Sequence, residues 1–365
     1  MRKLSSPAIY SIGANVLSKR FVEMNPSQLK FNPPPKDEKH ATLNGVKTNY
    51  YQAINGALDH ALGDSKTVLL GEDVAFGGVF RCSVGLLEKY GPKRVFNSPL
   101  SEQGIVGFSI GMAAMGWRPI AEVQFADYIF PAFDQLVNEA AKYRFRSGGV
   151  YYCPIVIRAP CSAVGHGGAY HSQSVEGFFT HCAGLKVVMP STPSEAKGLL
   201  LRCWKDNDPC LFFEPKILYR SAFEDVNPDY YDLPLGKGRV LLEGKDVTII
   251  TYGSQVYRAV HAAKMAQEEG ISVELIDLRS LIPWDRDLVV ASVKKTRRAI
   301  VTHEAQLTSG YGAELVSCIA EDCFLSLEAP PKRVCGLDTP VPLHERLYLP
   351  NEFKLYDAIK EIVKF

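Results

Sequence analysis

The sequence predicts an α/β protein with two domains, each built on a mainly parallel sheet with helices on both faces. Apolar runs of strand length alternate along most of the chain with helix-length segments whose apolar residues recur every three or four positions. This alternation is typical of parallel sheets covered by helices. The length of 365 residues also corresponds to about two domains.

Residues 1–42 are predicted to be a transit peptide followed by a spacer. Residues 1–22 contain four basic residues, four serines and no acidic residue. This composition is typical of mitochondrial transit peptides. An irregular basic terminus is the alternative. The Pro-rich, charged segment 31–40 cannot form a helix. We therefore expect the folded part to start near residue 43 and the terminal segment to be removed before Pro33.

The first domain is predicted to span residues 43–223, with strands and helices in turn. The strands are expected at Thr67–Gly71, Pro119–Gln124, Pro154–Ala159, Lys186–Pro190 and Cys210–Glu214. The helices are expected at Tyr51–Leu62, Glu102–Gly116, Pro131–Phe145 and Pro193–Lys205. Residues 224–245, rich in Pro, Gly, Tyr and acidic side chains, interrupt the pattern and are predicted to be a linker.

The second domain is predicted to span residues 246–365. Its strands are expected at Asp246–Tyr252, Ser272–Leu278, Arg298–Glu304 and Arg333–Leu337, and its helices at Ser254–Glu269, Asp285–Lys295 and Ser309–Cys323. The architecture is that of a nucleotide-binding domain, yet no P-loop is present and no GxGxxG follows a strand. A dinucleotide or triphosphate held by this chain alone is therefore disfavoured.

The composition argues against several classes of protein. Lys and Arg total 41 against 40 Asp and Glu, so no net field favours nucleic acid or an anionic membrane. No apolar run reaches the roughly 18 residues that a membrane span needs. The nine cysteines are an odd number without a CxxC spacing. They are predicted to be free thiols in a reducing compartment.

Two short motifs suggest other chemistry. Residues 107–111 match the G-x-S-x-G of a serine hydrolase with Ser109 as nucleophile. The only Gly-rich candidate for an oxyanion hole, residues 166–168, follows the motif rather than preceding it, so close packing of a small-residue helix face is the favoured interpretation. A zinc site was also considered, although its spacings match no common zinc pattern. Its candidate ligands are Cys161, His166, His171, His181 and Cys182.

Glu102 is the first residue of a predicted helix. A carboxylate there interacts favourably with the helix dipole, and Ser101 could cap the helix. From these residues alone, capping is the simpler interpretation, and the surrounding sequence is what favours a functional one.

Several long segments in one order resemble the β subunit of the branched-chain 2-oxo acid dehydrogenase, the thiamine-diphosphate-dependent first component of a mitochondrial complex. The resemblance runs from about residue 46 to the end of the chain. The segments that carry it are 69–86 (LLGEDVAFGGVFRCSVGL), 95–107, 121–148, 164–174 (VGHGGAYHSQS), 207–220, 276–285 and 302–314. The related pyruvate dehydrogenase β subunit is the alternative, but Phe125–Tyr128 and Tyr170–Ser174 are similar to the branched-chain type.

The resemblance implies a pyrimidine-binding thiamine-diphosphate domain followed by a transketolase-like C-terminal α/β domain. Glu102 matches the glutamate that hydrogen-bonds the aminopyrimidine ring of the cofactor and favours its imino tautomer. Leu100, Gln124 and Tyr128 match residues that flank the pyrimidine. His171 matches the histidine that assists acyl transfer to lipoyl-lysine.

The resemblance also implies a structural potassium ion bound mostly by backbone oxygens. The matching positions are Cys153, Ile155, Val156, Cys203, Asp206 and Asp208. The chain departs from the family here, because it is one residue shorter before Ile155 and has Val156 and Asp208 where threonine and asparagine are usual.

The family assembles two α and two β chains, and the α chain carries the motif for magnesium and the diphosphate. We therefore expect an α-subunit partner, a lipoyl-bearing acyltransferase core, branched 2-oxo acids from valine, leucine and isoleucine as substrates, and the mitochondrial matrix as location. A non-catalytic chain that only bridges α chains to the core is an alternative of another class, as is the serine hydrolase.

Overall fold

The structure, a computed structural model, describes residues 38–365 of the chain; the predicted transit peptide up to residue 37 lies outside the described residues. Fourteen strands occur in the described part: β1 Val46–Asn49, β2 Thr67–Gly71, β3 Val95–Asn97, β4 Arg118–Glu122, β5 Val156–Cys161, β6 Lys186–Val188, β7 Cys210–Pro215, β8 Phe223–Val226, β9 Arg239–Leu242, β10 Val247–Thr251, β11 Val273–Asp277, β12 Ser280–Ile282, β13 Ala299–Gln306 and β14 Lys332–Gly336.

Eleven α-helices accompany these strands in the described part. They are α1 Tyr50–Leu62, α2 Leu86–Tyr90, α3 Glu102–Ala114, α4 Tyr143–Arg146, α5 Glu176–Thr180, α6 Pro193–Lys205, α7 Leu218–Ser221, α8 Gln255–Glu268, α9 Arg286–Thr296, α10 Gly312–Cys323 and α11 Glu352–Val363. Four of the long helices, α1, α6, α9 and α11, begin at a side-chain cap. Asn49 and Gln52 form a reciprocal capping box at α1, and the Thr192 side chain caps α6, which begins with Pro193.

The first domain is built on a seven-stranded sheet in the order β12-β6-β7-β5-β4-β2-β3. All neighbours are parallel except β12 and β6. The central strands are buried along their whole length because helices cover both faces, which is why they read as continuous apolar runs. A separate antiparallel pair of β1 and β8 joins the two ends of this domain.

The second domain carries a five-stranded sheet in the order β14-β13-β10-β11-β9, in which only β9 is antiparallel. Strand β12 follows in sequence from this sheet but pairs with β6 of the first. The two domains are therefore joined by backbone hydrogen bonds as well as by side chains. The mainly parallel sheets confirm the predicted fold class.

The observed elements differ from the predicted ones in several places. Residues 131–145 are not one α-helix, because 3-10 and π turns occupy 130–140 before α4. Residues 224–245, predicted as a linker, include most of β8 and all of β9. The short strands β1, β3 and β12 were not anticipated, since three or four residues carry little periodicity. Helix α11 was not anticipated either, although its buried residues Leu355, Ala358, Ile359 and Ile362 recur at helical spacing. The predicted domain boundaries themselves stay a prediction.

The folded part begins earlier than the predicted residue 43. Lys39–Ala41 form a 3-10 turn in which Ala41 is buried. The Glu38 carboxylate accepts hydrogen bonds from both terminal nitrogens of Arg279, at 2.7 and 3.1 Å, and both side chains are buried. The end of the predicted spacer is thus packed against a residue of the second domain.

All nine cysteines are free thiols, as predicted, and seven of them are buried. Within residues 38–365, none of the helices combines the length and the apolar character that crossing a lipid bilayer requires.

Candidate active site

The candidate site lies at the carboxyl ends of β2, β3 and β4. The chain passes from β2 to β3 on one side and then to β4 on the other, so the order of strands reverses there. In open parallel sheets, ligands bind outside the carboxyl ends of the strands at such a point. Gly71 allows the end of β2 to approach β4 closely, since a Cβ atom there would lie 2.5 Å from the Glu122 carbonyl oxygen.

Three carboxylates collect at this position. Glu72 and Asp73 directly follow β2, and Glu102 is the first residue of α3. The Gln124 side-chain amide, which follows β4, donates a hydrogen bond to Asp73 at 3.3 Å. Ser101 does not cap α3 with its side chain, although Glu102 stands in the first turn as predicted. Glu72 and Asp73 were not predicted as site residues, and the signal that could have identified them is a pair of acidic residues directly after an apolar strand.

Glu72 is a buried acid whose Oε1 atom has no hydrogen-bond partner within residues 38–365. The side-chain oxygen of Ser98, which follows β3, is likewise unpartnered. Burial, followed by the negative charges of Glu102, Asp73 and Glu122, raises the pKa of Glu72 to about 7. The site thus presents polar oxygens that the described chain leaves unsatisfied, a pattern typical of ligand sites.

His171 and Tyr128 meet beside these carboxylates. The Tyr128 hydroxyl lies 3.0 Å from Nε2 of His171, and the edge of the Phe125 ring packs against the imidazole with a centroid separation of 4.9 Å. Because Phe125 is the neighbour of Gln124, this aromatic group adjoins the carboxylate cluster. The structure therefore brings the predicted Gln124, Tyr128 and His171 to one side of the sheet.

A closed ion network lies beneath the site. The guanidinium of Arg158, on β5, pairs with Glu122 at 2.6 Å and with Glu214 at 2.7 Å, and all three side chains are buried. The Tyr219 hydroxyl donates a further hydrogen bond to Glu214 at 2.6 Å. These charges are partnered within the chain, and removal of any one partner would leave the others buried without compensation.

The face around Glu102 is open and apolar. Leu100 is 82% exposed and Phe76 is 71% exposed. Met115, at the other end of α3, is 78% exposed. The small residues Gly111 and Ala114, predicted to pack against another backbone, are exposed as well. An apolar face of this kind indicates a contact with another protein.

The positions that the resemblance assigns to potassium lie at the opposite ends of the strands, where β5 and β7 begin. Asp206 is held there by positive groups of the chain. Lys186 donates to its carboxylate at 2.6 Å, and Arg118 donates to its carbonyl oxygen at 3.0 Å. The Arg144 guanidinium lies 3.2 Å from Asp208. These fixed positive charges oppose a further cation at Asp206 and Asp208.

The two other motifs do not form the sites considered for them. Ser109 lies inside α3, buried, and donates a hydrogen bond to the Ile105 carbonyl oxygen at 2.8 Å. The nucleophile-elbow hypothesis is therefore wrong, since that motif requires a sharp turn between a strand and a helix. In residues 38–365 no group of three or more His, Cys, Asp or Glu side chains could hold a metal ion, so the zinc candidates do not come together.

Comparisons with known proteins agree with this geometry. Residues 46–222 match the transketolase pyrimidine-binding domain, and residues 236–354 match the transketolase C-terminal domain. A 2-oxoisovalerate dehydrogenase subunit beta, mitochondrial, of Dictyostelium discoideum is 59% identical over 87% of each chain. The subunit beta 2 of Arabidopsis thaliana is 57% identical over 90% of this chain and 92% of its own.

The fold alone is shared with a solved structure described as a split-gene transketolase, an inactive β4 tetramer. Its TM-score is 0.70 at 24% identity, over 88% of this chain and 99% of that one. Fold and matched domains together define a transketolase-type, thiamine-diphosphate-dependent protein. Within that class, the chain belongs to the family of 2-oxoisovalerate dehydrogenase β subunits, which are the β subunits of the branched-chain 2-oxo acid dehydrogenase.

Proposed function

We propose that this chain is the β subunit of an assembly of two α and two β chains. The assembly oxidatively decarboxylates the branched 2-oxo acids of valine, leucine and isoleucine and transfers the acyl group to lipoyl-lysine of an acyltransferase core. The observation that carries the proposal is the open cluster of Glu72, Asp73 and Glu102 at the switch point of the first sheet.

The residues of the cluster fit the pyrimidine end of thiamine diphosphate. An aminopyrimidine offers both N–H donors and ring-nitrogen acceptors, and the unpartnered oxygens of Glu72 and Ser98 beside Glu102 are suited to it. When bound, thiamine diphosphate supplies the nucleophilic carbon and the electron sink that decarboxylation of a 2-oxo acid requires. With the cofactor bound, Glu102 would hold a proton at a ring nitrogen, and Leu100 and Gln124 would flank the ring.

His171 and Tyr128 serve the acyl-transfer step. A proton must reach a sulfur of the lipoyl group, and the ring nitrogens of an imidazole can accept and donate one. The 3.0 Å contact between Tyr128 and Nε2 of His171 orients the ring. The exposed position of His171 leaves it open to a lipoyl-lysine arriving from outside.

The α subunit completes the site. We propose that it covers the exposed apolar side chains of Phe76, Leu100 and Met115, each more than two-thirds exposed in this chain, and that it holds magnesium and the diphosphate. Retention of Glu102 and His171 in one constellation supports a catalytic role over that of a bridging chain. We do not propose potassium at Asp206, because Lys186 and Arg118 already bind its carboxylate and its carbonyl oxygen.

We propose the mitochondrial matrix as the location. The relatives from Dictyostelium and Arabidopsis are named mitochondrial, and the amino-terminal segment has the basic, Ser-rich composition of a transit peptide. A mature chain that still begins at Met1 in isolated mitochondria would contradict removal of this segment.

The test is reconstitution of the chain with its α subunit. We expect activity that depends on thiamine diphosphate and specificity constants about ten- to a hundredfold higher for 3-methyl-2-oxobutanoate than for pyruvate, since each buried methylene contributes about 0.8 kcal/mol. The difference should fall mainly on KM if the side chain is bound equally in ground and transition states. Comparable constants would favour the pyruvate dehydrogenase alternative, and an inactive complex would favour the bridging chain.

A further inference from the structure

His171 lies on a segment that the second domain holds in place. This segment, residues 162–175, is here called the histidine loop. It follows β5 and contains only one short 3-10 turn, Gly168–Tyr170. A loop without regular hydrogen bonding needs other partners for its backbone groups. Those partners come largely from residues far along the chain.

Glu345 is the main partner. Its carboxylate accepts hydrogen bonds from the backbone N–H groups of Gly165, Gly167 (2.7 Å) and Gly168 (3.3 Å) and from the side chain of Ser172. Glu345 itself is fully buried. Four donors from one loop thus converge on a single carboxylate, and hydrogen bonds to an ionised acceptor are stronger than neutral ones.

The turn of the loop around this carboxylate requires glycine at two positions. A Cβ atom on Gly167 would lie 2.1 Å from the Ser172 hydroxyl oxygen, and Gly168 has a φ of +67° beside Leu343. The loop therefore closes around Glu345 only with glycine at these positions.

The residues that follow His171 in the loop are held by hydrogen bonds. Ser172, which Glu345 holds, directly follows His171, and the next residue, Gln173, donates its backbone N–H to Asp127 at 3.0 Å. A second carboxylate of the second domain, Glu304, accepts from the backbone N–H of Ala163 at 3.0 Å. His171 thus stands next to two anchored residues, with its Nε2 facing Tyr128.

We propose that Glu345 is a positioning residue for acyl transfer, through which the second domain holds His171 in the geometry that the reaction with lipoyl-lysine requires. The proposal rests on the proposed function, because it takes the role of His171 from there. Glu345 acts only through the backbone of the histidine loop. A displacement of about 1 Å in a reacting group can cost about a hundredfold in rate, so the loss of this carboxylate should be felt at His171.

The test uses the reconstituted complex with Glu345→Gln. The amide would place N–H donors against the N–H groups of the loop. We expect acyl transfer to a lipoyl domain to fall by about ten- to a hundredfold, and decarboxylation measured with an artificial electron acceptor to fall by less. Hydrogen exchange of the backbone in residues 164–173 should become faster. Glu345→Asp, which keeps the charge, should recover part of the acyl transfer.

The matched control is Glu274→Gln. Glu274 is equally buried in the second domain, but its partners Ser292, Lys295 and Gly244 lie in residues 239–365 and not in the histidine loop. It should change neither the ratio of the two activities nor exchange in the loop.

A double variant separates positioning from general damage. In the His171→Ala background, Glu345→Gln should lower acyl transfer little further. A full additional loss, equal losses in both assays, or unchanged exchange in the loop would overturn the proposal. If Glu345→Gln does not assemble, Ser172→Ala removes one donor while keeping the carboxylate. The same preferential loss of acyl transfer is then expected at smaller size, and its absence would overturn the proposal.

Failure of the proposed function would appear separately, as an inactive wild-type complex. The exchange measurement would still decide whether Glu345 holds the loop.

Discussion

Two clusters of carboxylates stand at the same end of the first sheet, and they differ in whether the chain supplies their counter-charge. Glu122 and Glu214 share the buried guanidinium of Arg158, at 2.6 and 2.7 Å. Glu72 and Glu102 lie close by with no cation of the described chain bound to them, and Glu72 retains an unpartnered oxygen.

The difference separates stability from function. A buried carboxylate that is paired contributes to a specific fold, and removal of its partner is costly. A carboxylate left without a partner raises the free energy of the empty protein and becomes favourable only when a ligand supplies the missing donors. The two clusters should therefore respond in opposite ways to substitution, one in stability and the other in activity.

The largest effect is expected from Glu102→Gln. The amide cannot hold a proton at the cofactor ring as a carboxylate does, so activity of the reconstituted complex should fall by about three orders of magnitude. Assembly and unfolding should stay close to wild type, because Glu102 is only half-buried. Steady-state rates measure the activity, and the size of the complex measures assembly. Glu88→Gln on an exposed helix serves as control, and near wild-type proton exchange at the thiazolium carbon would contradict the assignment.

Arg158→Met tests the other cluster. The substitution leaves Glu122 and Glu214 buried without their cation, which should lower the free energy of unfolding by about 3–5 kcal/mol. The urea midpoint of the complex measures this loss. The control is Arg146→Met, whose pair with Glu139 is solvent-exposed on both sides and should be worth less than about 1 kcal/mol. Equal midpoints for the two variants would refute the contrast.

The pH dependence of stability should reveal the unpartnered cluster. The pKa of Glu72, raised to about 7, exceeds the value near 4.3 of an unfolded chain. Between these values the folded state binds more protons, so stability falls as pH rises and levels off above about 7. Glu72→Gln removes this loss. Its stability relative to wild type should therefore increase from about pH 5 to about pH 8, by at most roughly 1.4 kcal/mol per pH unit; a constant difference would contradict it.

The smallest effect is expected from Ser109→Ala. Ser109 is a polar group partnered within its own helix through the Ile105 carbonyl. Loss of that bond is offset by the higher helix propensity of alanine, so stability should change by less than about 0.5 kcal/mol. Activity should be unchanged, and a fluorophosphonate probe should not label Ser109 of the wild-type chain. Loss of activity on this substitution would indicate that Ser109 has a functional role after all.

Most of the long elements, though not α11, could be predicted because each is a periodic run of adequate length. Strand β2 occupies Thr67–Gly71 and helix α6 occupies Pro193–Lys205, as predicted. The short strand β12 could not be predicted, since it has three residues and is defined by its partner β6 rather than by any pattern of its own. The turns at 130–140 were missed because their spacing of apolar residues is the same as that of an α-helix.

The candidate site was predictable only in part. Glu102 and His171 were identified through long motifs that resemble a family, and no spacing within the sequence relates them. Glu72 and Arg158 escaped attention because an acid after a strand and an arginine within one have no distinct local signal. Glu345 lies 173 residues from Ser172, a separation at which no local pattern exists.

By itself the sequence determined the class of the two domains, the order of their long elements and the free state of the cysteines. These follow from apolar periodicity and composition, which act locally along the chain. Only the tertiary structure decided which carboxylates receive a cation, which remain open, and that Glu345 of the second domain holds the histidine loop of the first. Such pairings depend on the distance between side chains that the fold alone brings together. Burial then strengthens each pairing and raises the free-energy cost of each group left without a partner.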